Sequence, residues 1–590
     1  MKYLKLRFLI SIIPALIFVW GIFNLCFWDP FFSKSSDPEY PYLINGLNCS
    51  MLNFDRIGHT DHPGTPLQVF NGLIIRLTHF ISGKEDIAKD VFTRPEVYLN
   101  TISFSLLFIQ TILVLIIGFI ALKRKIPVWK IIILQAGCFY NDVLMWLFSR
   151  VNPDRFFIIT GLLFIIVYLK HGYKNQSNRL FALWSGVIMA LGLATKFNFL
   201  PLLILPLFLI NNNKNRFIYT ISGIISFLIF ISPILNQFKN FSRFITGIFN
   251  HDGIYGSGES KVFNLQKMID SFIEIIKLNP EIIILMIALI SAFIYALIQK
   301  KKNGVKNHYW IFAGFILIIA LQIIMVSKHF KNYYLVPIFI SYGFIFFIFS
   351  EFLSIHIKKK PQLILYSSLL PVIFVLINII KVEKDIPQIA KDIRHREKTI
   401  DFVKNEISEE DFWFIEPTWE SGPHLENALI YGLSYCAHKE LYYPLLIRLN
   451  PNIITYEGNN LVKSWRIKSY NLDSLIITGT NINVYSTPGR QSNLLHSQID
   501  EAAARNNISL IYDTIYSDTE LNNKIIRVKA QNDPGELKII NMRQKKIDYY
   551  IYSINNTPDW LSKCKEKAKQ KNITPDSMIL LDAIWMADNE

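Results

Sequence analysis

The sequence predicts a polytopic α-helical membrane protein carrying a soluble C-terminal domain of α/β or α+β type. Three observations support this. Apolar residues make up 51% of the 590 and charged residues 18%, against about 25% charged in an average soluble chain. Apolar runs of spanning length recur through the first two thirds. Clusters of Lys and Arg alternate between those runs as the positive-inside rule requires.

Hydropathy marks about eleven spans: 8–28, 99–122, 126–148, 156–170, 180–196, 199–210, 217–235, 281–298, 309–327, 333–355 and 363–381. The first follows Lys2, Lys5 and Arg7, as in a signal peptide. Its roughly 20 apolar residues are enough to span, however, and no A-x-A-like site follows, so it reads as an uncleaved first helix. The short run 199–210 reads as a bent or re-entrant element, and the charge alternation requires it.

One set of connections holds Lys123, Arg124 and Lys125; Lys170, Lys174 and Arg179; Lys214 and Arg216; Lys300, Lys301, Lys302 and Lys306; and Lys358, Lys359 and Lys360. With the N-terminus, these define the cytoplasmic side. The opposite set is longer and richer in acids and histidines. It comprises 29–98, 149–155, the turn near Lys196, 236–280 and 328–332. Within the first of these, Leu67, Phe70, Leu73, Ile74, Leu77 and Phe80 recur at helical spacing, which suits a helix in the membrane interface or one packed on the bundle.

Residues 1–381 therefore form the membrane domain, and 382–590 form a polar domain that the odd span count places outside. Short strands are expected at Asp473–Ile477 and Ile508–Tyr512, and helices at 397–407 and 559–572. A net charge of +15 invites a nucleic-acid reading. The excess sits in short loops between apolar runs, with no basic stripe interleaved with aromatics, so nucleic acid is rejected as a partner. None of the five cysteines stands in a CxxC pair, so neither a cysteine zinc site nor a disulfide framework is indicated.

The chemistry concentrates in the outer loops. Asp37 and Glu39 flank Pro38 just past the first span. In an extended segment their carboxylates would converge on one substrate or cation. Equally, Asp37 could cap a helix that begins with Pro38 and Glu39. His59, Asp61 and His62 form a cluster in a turn fixed by Pro63, Gly64 and Pro66, suited to a divalent cation, a phosphate, or simple solvation. Arg150, Asp154 and Arg155 sit in the next outer loop, either as a helix-end charge network or as part of a site. Lys196 ends an apolar run, where it could snorkel or meet a lipid phosphate. The Gly-rich stretch His251–Glu259 lacks the GxxxxGK[ST] pattern and reads as a lid. Lys328, His329, Tyr333 and Tyr334 place cations and aromatics at a helix end, as a surface phosphate or an aromatic belt would require. With these clusters outside, where nucleotides are scarce, an activated donor would be lipid-linked.

At these residues the chain resembles the GT-C superfamily of membrane glycosyltransferases, in particular the branch with protein O-mannosyltransferases and aminoarabinose-lipid A transferases. The resemblance covers about residues 1–381. It rests on Asp37-Pro38-Glu39-Tyr40, on Arg150 and Asp154, on Gly192-Leu193-Ala194 through Lys196, and on Lys328-His329 through Pro337. Asp61-His62-Pro63 resembles the branch's His-Pro-Pro element loosely. The resemblance implies a GT-C-like bundle and sugar transfer from a polyprenyl-phosphate donor to a lipid, glycan or protein acceptor. Asp37 would be the catalytic base, assisted by Glu39. Lys196, Arg150, Lys328 and His329 would bind the donor phosphate. His59, Asp61, His62, Asp154, His251, Tyr333 and Tyr334 would line the substrate loops. No cofactor is assigned. A divalent metal ion stays open, with Asp37, Asp61 and His62 as its ligands.

The expectation is thus a multi-pass glycosyltransferase of the cell's inner (plasma) membrane, its N-terminus cytoplasmic and its C-terminal domain extracytoplasmic. The alternatives are a transporter or flippase, or a non-catalytic surface-assembly protein. A transporter would concentrate ionisable groups near the bilayer midplane, whereas these lie at the outer helix ends.

Overall fold

The computed structural model describes residues 2–28, 30–61, 63–174, 178–251, 264–299, 308–415, 422–450, 452–456, 462–463, 472–487, 492–531 and 534–589. The chain divides into two compact units, Met1–Ile393 with Tyr431–Lys439, and Arg394–Ile430 with Glu440–Glu590.

The first unit is a helical bundle. Among the described residues, 8 helices are long and apolar enough to cross a membrane, or 9 with Val128–Phe139 and Asp142–Ser149 counted as one span bent by 73°. Two shorter apolar helical segments, Arg179–Thr195 and Phe197–Leu209, complete the set. Each of the expected spans is thus a helical element, and the departures have local causes. At the bend, Asn141 is extended and its side chain caps the next helix through Val143 N. From Phe197 to Ile204 the chain is a 3-10 helix that includes Pro201, whose missing N–H breaks α-helical pairing. The last apolar run does not stop at 381: one helix covers Lys360–Glu406.

Large apolar side chains on these helices face both ways. Phe157, Phe181, Phe312 and Phe346 are buried between helices, while Phe108, Leu228, Ile287 and Leu369 are exposed. A bilayer supplies the apolar surroundings that the second group needs. The expected interfacial helix is Thr65–Ser82. Its inner face carries Leu67, Gln68, Asn71, Gly72 and Ile75, and its exposed face Val69, Leu73, Leu77, Phe80 and Ile81. An outward face of that composition belongs in lipid.

The second unit holds a six-stranded mixed sheet: β1 (Phe412–Ile415), β2 (Ile453–Tyr456), β3 (Val462–Lys463), β4 (Ile482–Ser486), β5 (Leu510–Asp518) and β6 (Asn523–Ala530). The order is β3-β2-β1-β4-β6-β5. β1 runs parallel to β2 and β4, and the remaining pairs are antiparallel. The strand expected near 508–512 is β5, but Leu472–Ile477 is a helix. It buries Leu472, Leu475, Ile476 and Ile477 in the same apolar core as β1, β4 and Ile499. Periodicity cannot separate strand from helix in so short an apolar run. Three helices, Pro534–Asn556, Pro558–Gln570 and Pro575–Asn589, end the chain around Ile547, Ile554, Cys564 and Ala583.

Candidate functional site

The loops that charge counting places on the outer side meet in the structure. Glu39 opens the buried helix Glu39–Ser50, for which Pro38 is the N-cap. Asp37 is therefore not the cap, and the two carboxylates have different surroundings. Glu39 is gripped by Arg150: Nη2 donates to Oε2 at 2.8 Å, and Nε donates to Oε1. Arg150 also donates to the backbone oxygen of Asp37 at 3.1 Å. Burial opposes the Arg150 charge, but Glu39 and then Asp37 outweigh it and hold its pKa above the ordinary guanidinium value. The Asp37 carboxylate takes no hydrogen bond among the described residues. Burial, and then the neighbouring Glu39 charge, push its pKa to about 6, against the pull of Arg150 and Lys196. A half-buried carboxylate whose pKa is raised toward neutral suits a general base.

Asp154 and Lys196 form the second pair. Asp154 lies in the first turn of Pro153–Val167, a helix capped by Asn152 through Arg155 N. Lys196 follows the last residue of Arg179–Thr195. Nζ stands 2.8 Å from Asp154 Oδ2, with both side chains buried. The rings of Tyr333 and Tyr334 lie 5.0 Å and 4.8 Å from the same ammonium, within cation–π range. Asn198 and Gln322 fix this aromatic corner by donating to Tyr334 O at 3.3 Å and 2.9 Å.

The third wall is the loop before Thr65. His59 packs between the rings of Tyr42 and Tyr435, with centroids 4.8 Å and 5.0 Å away. Burial, then the Lys196 charge, lower its pKa to about 4. His59 is therefore neutral at physiological pH and brings no positive charge to a phosphate. Burial raises the Asp61 carboxyl. His62 lies outside the described residues. Among the described residues no three His, Cys, Asp or Glu side chains converge as a metal site would need. The expected ligand set Asp37, Asp61 and His62 includes one residue outside the described ones.

Lys328, His329 and His251 have further contacts of their own. Lys328 donates to Ile248 O, and to Phe249 O at 3.4 Å, the carbonyls that end the helix Phe238–Asn250. His329 lies against Tyr334, and burial, then the Lys331 charge, lower its pKa. His251 closes the helix Phe238–Asn250 through its backbone N to Gly247 O, 3.0 Å. The rest of the Gly-rich stretch, from Asp252, lies outside the described residues.

Two cavities flank the charges. An apolar cleft of about 680 Å³ is lined by Leu193 and Phe197, on either side of Lys196, and by Phe227, Phe249, Met325 and Lys328, among others. A smaller cavity of about 260 Å³ lies beside Arg150, against Trp28, Lys34, Glu96 and Asn100. Glu96 is already saturated there, accepting from Phe31 N at 2.9 Å, Phe32 N at 3.2 Å and Tyr40 Oη at 2.8 Å.

No family model and no curated protein matches the chain. Among solved structures it is similar to ArnT from Cupriavidus metallidurans bound to undecaprenyl phosphate, with 11% identity and a TM-score of 0.41 over 87% of this chain and 97% of that one. A likeness of that size carries no weight of its own, and the functional case stands on the residues.

Tyr42, Tyr435 and the contacts of Arg155 escape a reading of the sequence alone. Arg155 is fully buried and donates from Nη1 to Ser103 Oγ at 2.5 Å and to Arg150 O at 2.7 Å. It thereby holds the backbone of the arginine that grips Glu39. Tyr435 comes from far along the chain. Its segment, Tyr431–Lys439, belongs to the first unit. There Tyr435 O accepts from Asn45 Nδ2 at 3.2 Å, and Ala437 N donates to Arg56 O at 3.0 Å. Tyr42, within the first acidic stretch, is fully buried.

Proposed function

We propose that this protein is an integral membrane glycosyltransferase that moves a sugar from a polyprenyl-phosphate donor to an acceptor at the outer face of the inner membrane. The single observation that carries the reading is the grouping of Asp37, which takes no carboxylate hydrogen bond among the described residues, with Arg150, which donates to its backbone oxygen at 3.1 Å, and with the buried Lys196, beside an apolar cleft lined by Leu193 and Phe197 on either side of that lysine. Asp37 takes the proton of the acceptor hydroxyl. The acceptor oxygen bonds to the anomeric carbon, and the bond from that carbon to the phosphate oxygen breaks with its electron pair on the phosphate. Lys196 and Arg150 meet the charge that develops there. The cleft suits the isoprenoid tail, with Lys328 on its wall. The cavity beside Arg150 gives the acceptor a separate approach. The cationic loops support a cytoplasmic N-terminus, with residues 382–590 outside.

The test is transfer by the purified full chain in lipid vesicles supplied with radiolabelled polyprenyl-phosphate sugars. Label leaving the donor supports the reading, and the labelled product identifies the acceptor as lipid, glycan or protein. Intact donor in every case, with well-folded protein, sinks it and brings the transporter and assembly readings forward.

A further inference from the structure

One side chain holds the segment that carries Asp37 from both of its ends. Glu96 lies in the first turn of the helix Pro95–Lys123. Its Oε2 accepts from Phe31 N at 2.9 Å, and its Oε1 accepts from Phe32 N at 3.2 Å and from Tyr40 Oη at 2.8 Å. Phe31 and Phe32 begin the helical turn Phe31–Lys34. Tyr40 is fully buried in the helix Glu39–Ser50. Asp37 stands between these anchors, five residues after Phe32 and three before Tyr40.

Residues 35–38 belong to no helix, so their course depends on what grips them. Ser35 Oγ donates to Asp37 O at 2.8 Å, and Arg150 donates to the same oxygen at 3.1 Å. These contacts fix the backbone locally. Glu96 fixes the two flanks against a membrane helix, through three hydrogen bonds to one carboxylate. Bonds to an ionised acceptor are about twice as strong as neutral ones. Glu96 also walls the cavity beside Arg150, but both of its oxygens already accept from the protein.

We propose that Glu96 is a positioning residue for transfer: it holds the Asp37 carboxylate within reach of the acceptor hydroxyl without touching the reacting atoms. This inference rests on the transferase reading above and adds a residue that the reading does not use. Tyr40 is the arm through which Glu96 acts on the C-terminal side of Asp37.

The experiment compares Glu96→Gln and Tyr40→Phe with the wild type in the reconstituted full chain, using the polyprenyl-phosphate sugar that the wild type accepts. Glu96→Gln keeps the shape of the side chain but turns an NH2 group toward at least one donor. Tyr40→Phe removes one of the three bonds and leaves every charge in place. In Glu96→Gln, kcat is expected to fall about 10- to 100-fold, as slight misplacement of a reacting group does, and in Tyr40→Phe by less. The donor KM is expected to change by less than about 3-fold in both, because the loss falls on the chemical step. In Tyr40→Phe the limb of kcat/KM near pH 6 moves toward the ordinary carboxylate value of 3.8, as Asp37 loses its buried setting. No charge has been altered there, so the shift reports displacement alone.

Wild-type kcat and an unmoved limb in both variants overturn the inference. So does a lower Tm in Glu96→Gln with kcat per folded molecule unchanged, which would make the clamp purely structural. A loss confined to KM overturns it as well, since Glu96 would then act in binding. Should Glu96→Gln fail to accumulate, Tyr40→Phe carries the test by the same criteria. A wild type inactive with every donor overturns the transferase reading and this role together, whereas an active wild type with unaffected variants overturns the positioning role alone.

Discussion

Lys196 Nζ lies 2.8 Å from Asp154 Oδ2, joining the C-terminal end of one apolar helix to the first turn of another with both side chains buried. Removing one partner leaves the other charged and uncompensated, at a cost of about 3–5 kcal/mol. Asp154→Asn and Lys196→Ala are each expected to lower the Tm sharply. The double variant Asp154→Leu, Lys196→Met replaces the pair by apolar groups and is expected to recover most of that stability. Transfer is expected to stay lost in the double variant, because the cation proposed to meet the phosphate is gone. Thermal unfolding in detergent beside a transfer assay checks both halves. Transfer restored together with stability would make the pair a purely structural staple.

The Arg150–Glu39 contact is bidentate, a geometry that lysine cannot reproduce. Arg150→Lys is expected to reduce transfer by about 10- to 1000-fold, the range for loss of a positioned electrostatic group. The variant still accumulates in the membrane, since a positive charge remains beside Glu39. Steady-state kinetics on the purified variant decides the matter, and unchanged kcat/KM would remove Arg150 from the mechanism.

The raised Asp37 pKa gives two pH expectations of defined sign. As a base, Asp37 acts ionised, so kcat/KM rises with pH through about 6 and then levels. For stability, the folded value of about 6 exceeds the ordinary 3.8, so the folded state favours the protonated form. That stabilisation is fully present below 3.8 and is lost as pH rises through 6. Asp37→Asn carries no such penalty. Its Tm is expected to exceed the wild type's at pH 7–8, and the advantage to shrink on acidification. His59, already neutral above about 4, adds no limb between pH 5 and 8. A pH–Tm series on both proteins measures the crossover.

Gly58 tests the contribution of Tyr431–Lys439. A Cβ at Gly58 would stand 2.6 Å from both Ala437 N and Tyr435 O, backbone atoms that cannot swing aside. Gly58→Ala is expected to cost about 1–3 kcal/mol, as overpacking does, and to impair transfer by shifting Tyr435 from His59. Limited proteolysis near residue 435 reports the displacement. An unchanged digestion pattern with full activity would free the catalytic unit from this segment.

The sequence was legible where the physics is local. Lys and Arg clusters follow topology, so Asp37, Arg150, Lys196 and Tyr333 could be assigned to one side before their contacts were seen. The acids at 37 and 39 were visible as a pair, but not their division of labour, which depends on an arginine 111 residues from Glu39. A phosphate-binding role for Lys328 is legible from a loop cation at a helix end, but its contacts with the carbonyls of Ile248 and Phe249, 80 and 79 residues earlier, are not. The strand expected at Asp473–Ile477 is part of the helix Leu472–Ile477, because so short a stretch carries no usable period. The approach of Tyr435 to His59 spans 376 positions, and no local pattern encodes it.

The most direct measurement is labelled-sugar transfer by the reconstituted full chain, wild type beside Asp37→Asn, at a pH above 6.5 and at matched amounts of folded protein. The account predicts transfer by the wild type, none above background by the variant, and a Tm at least as high in the variant. Transfer by Asp37→Asn at the wild-type rate would contradict the assignment of Asp37 as the base.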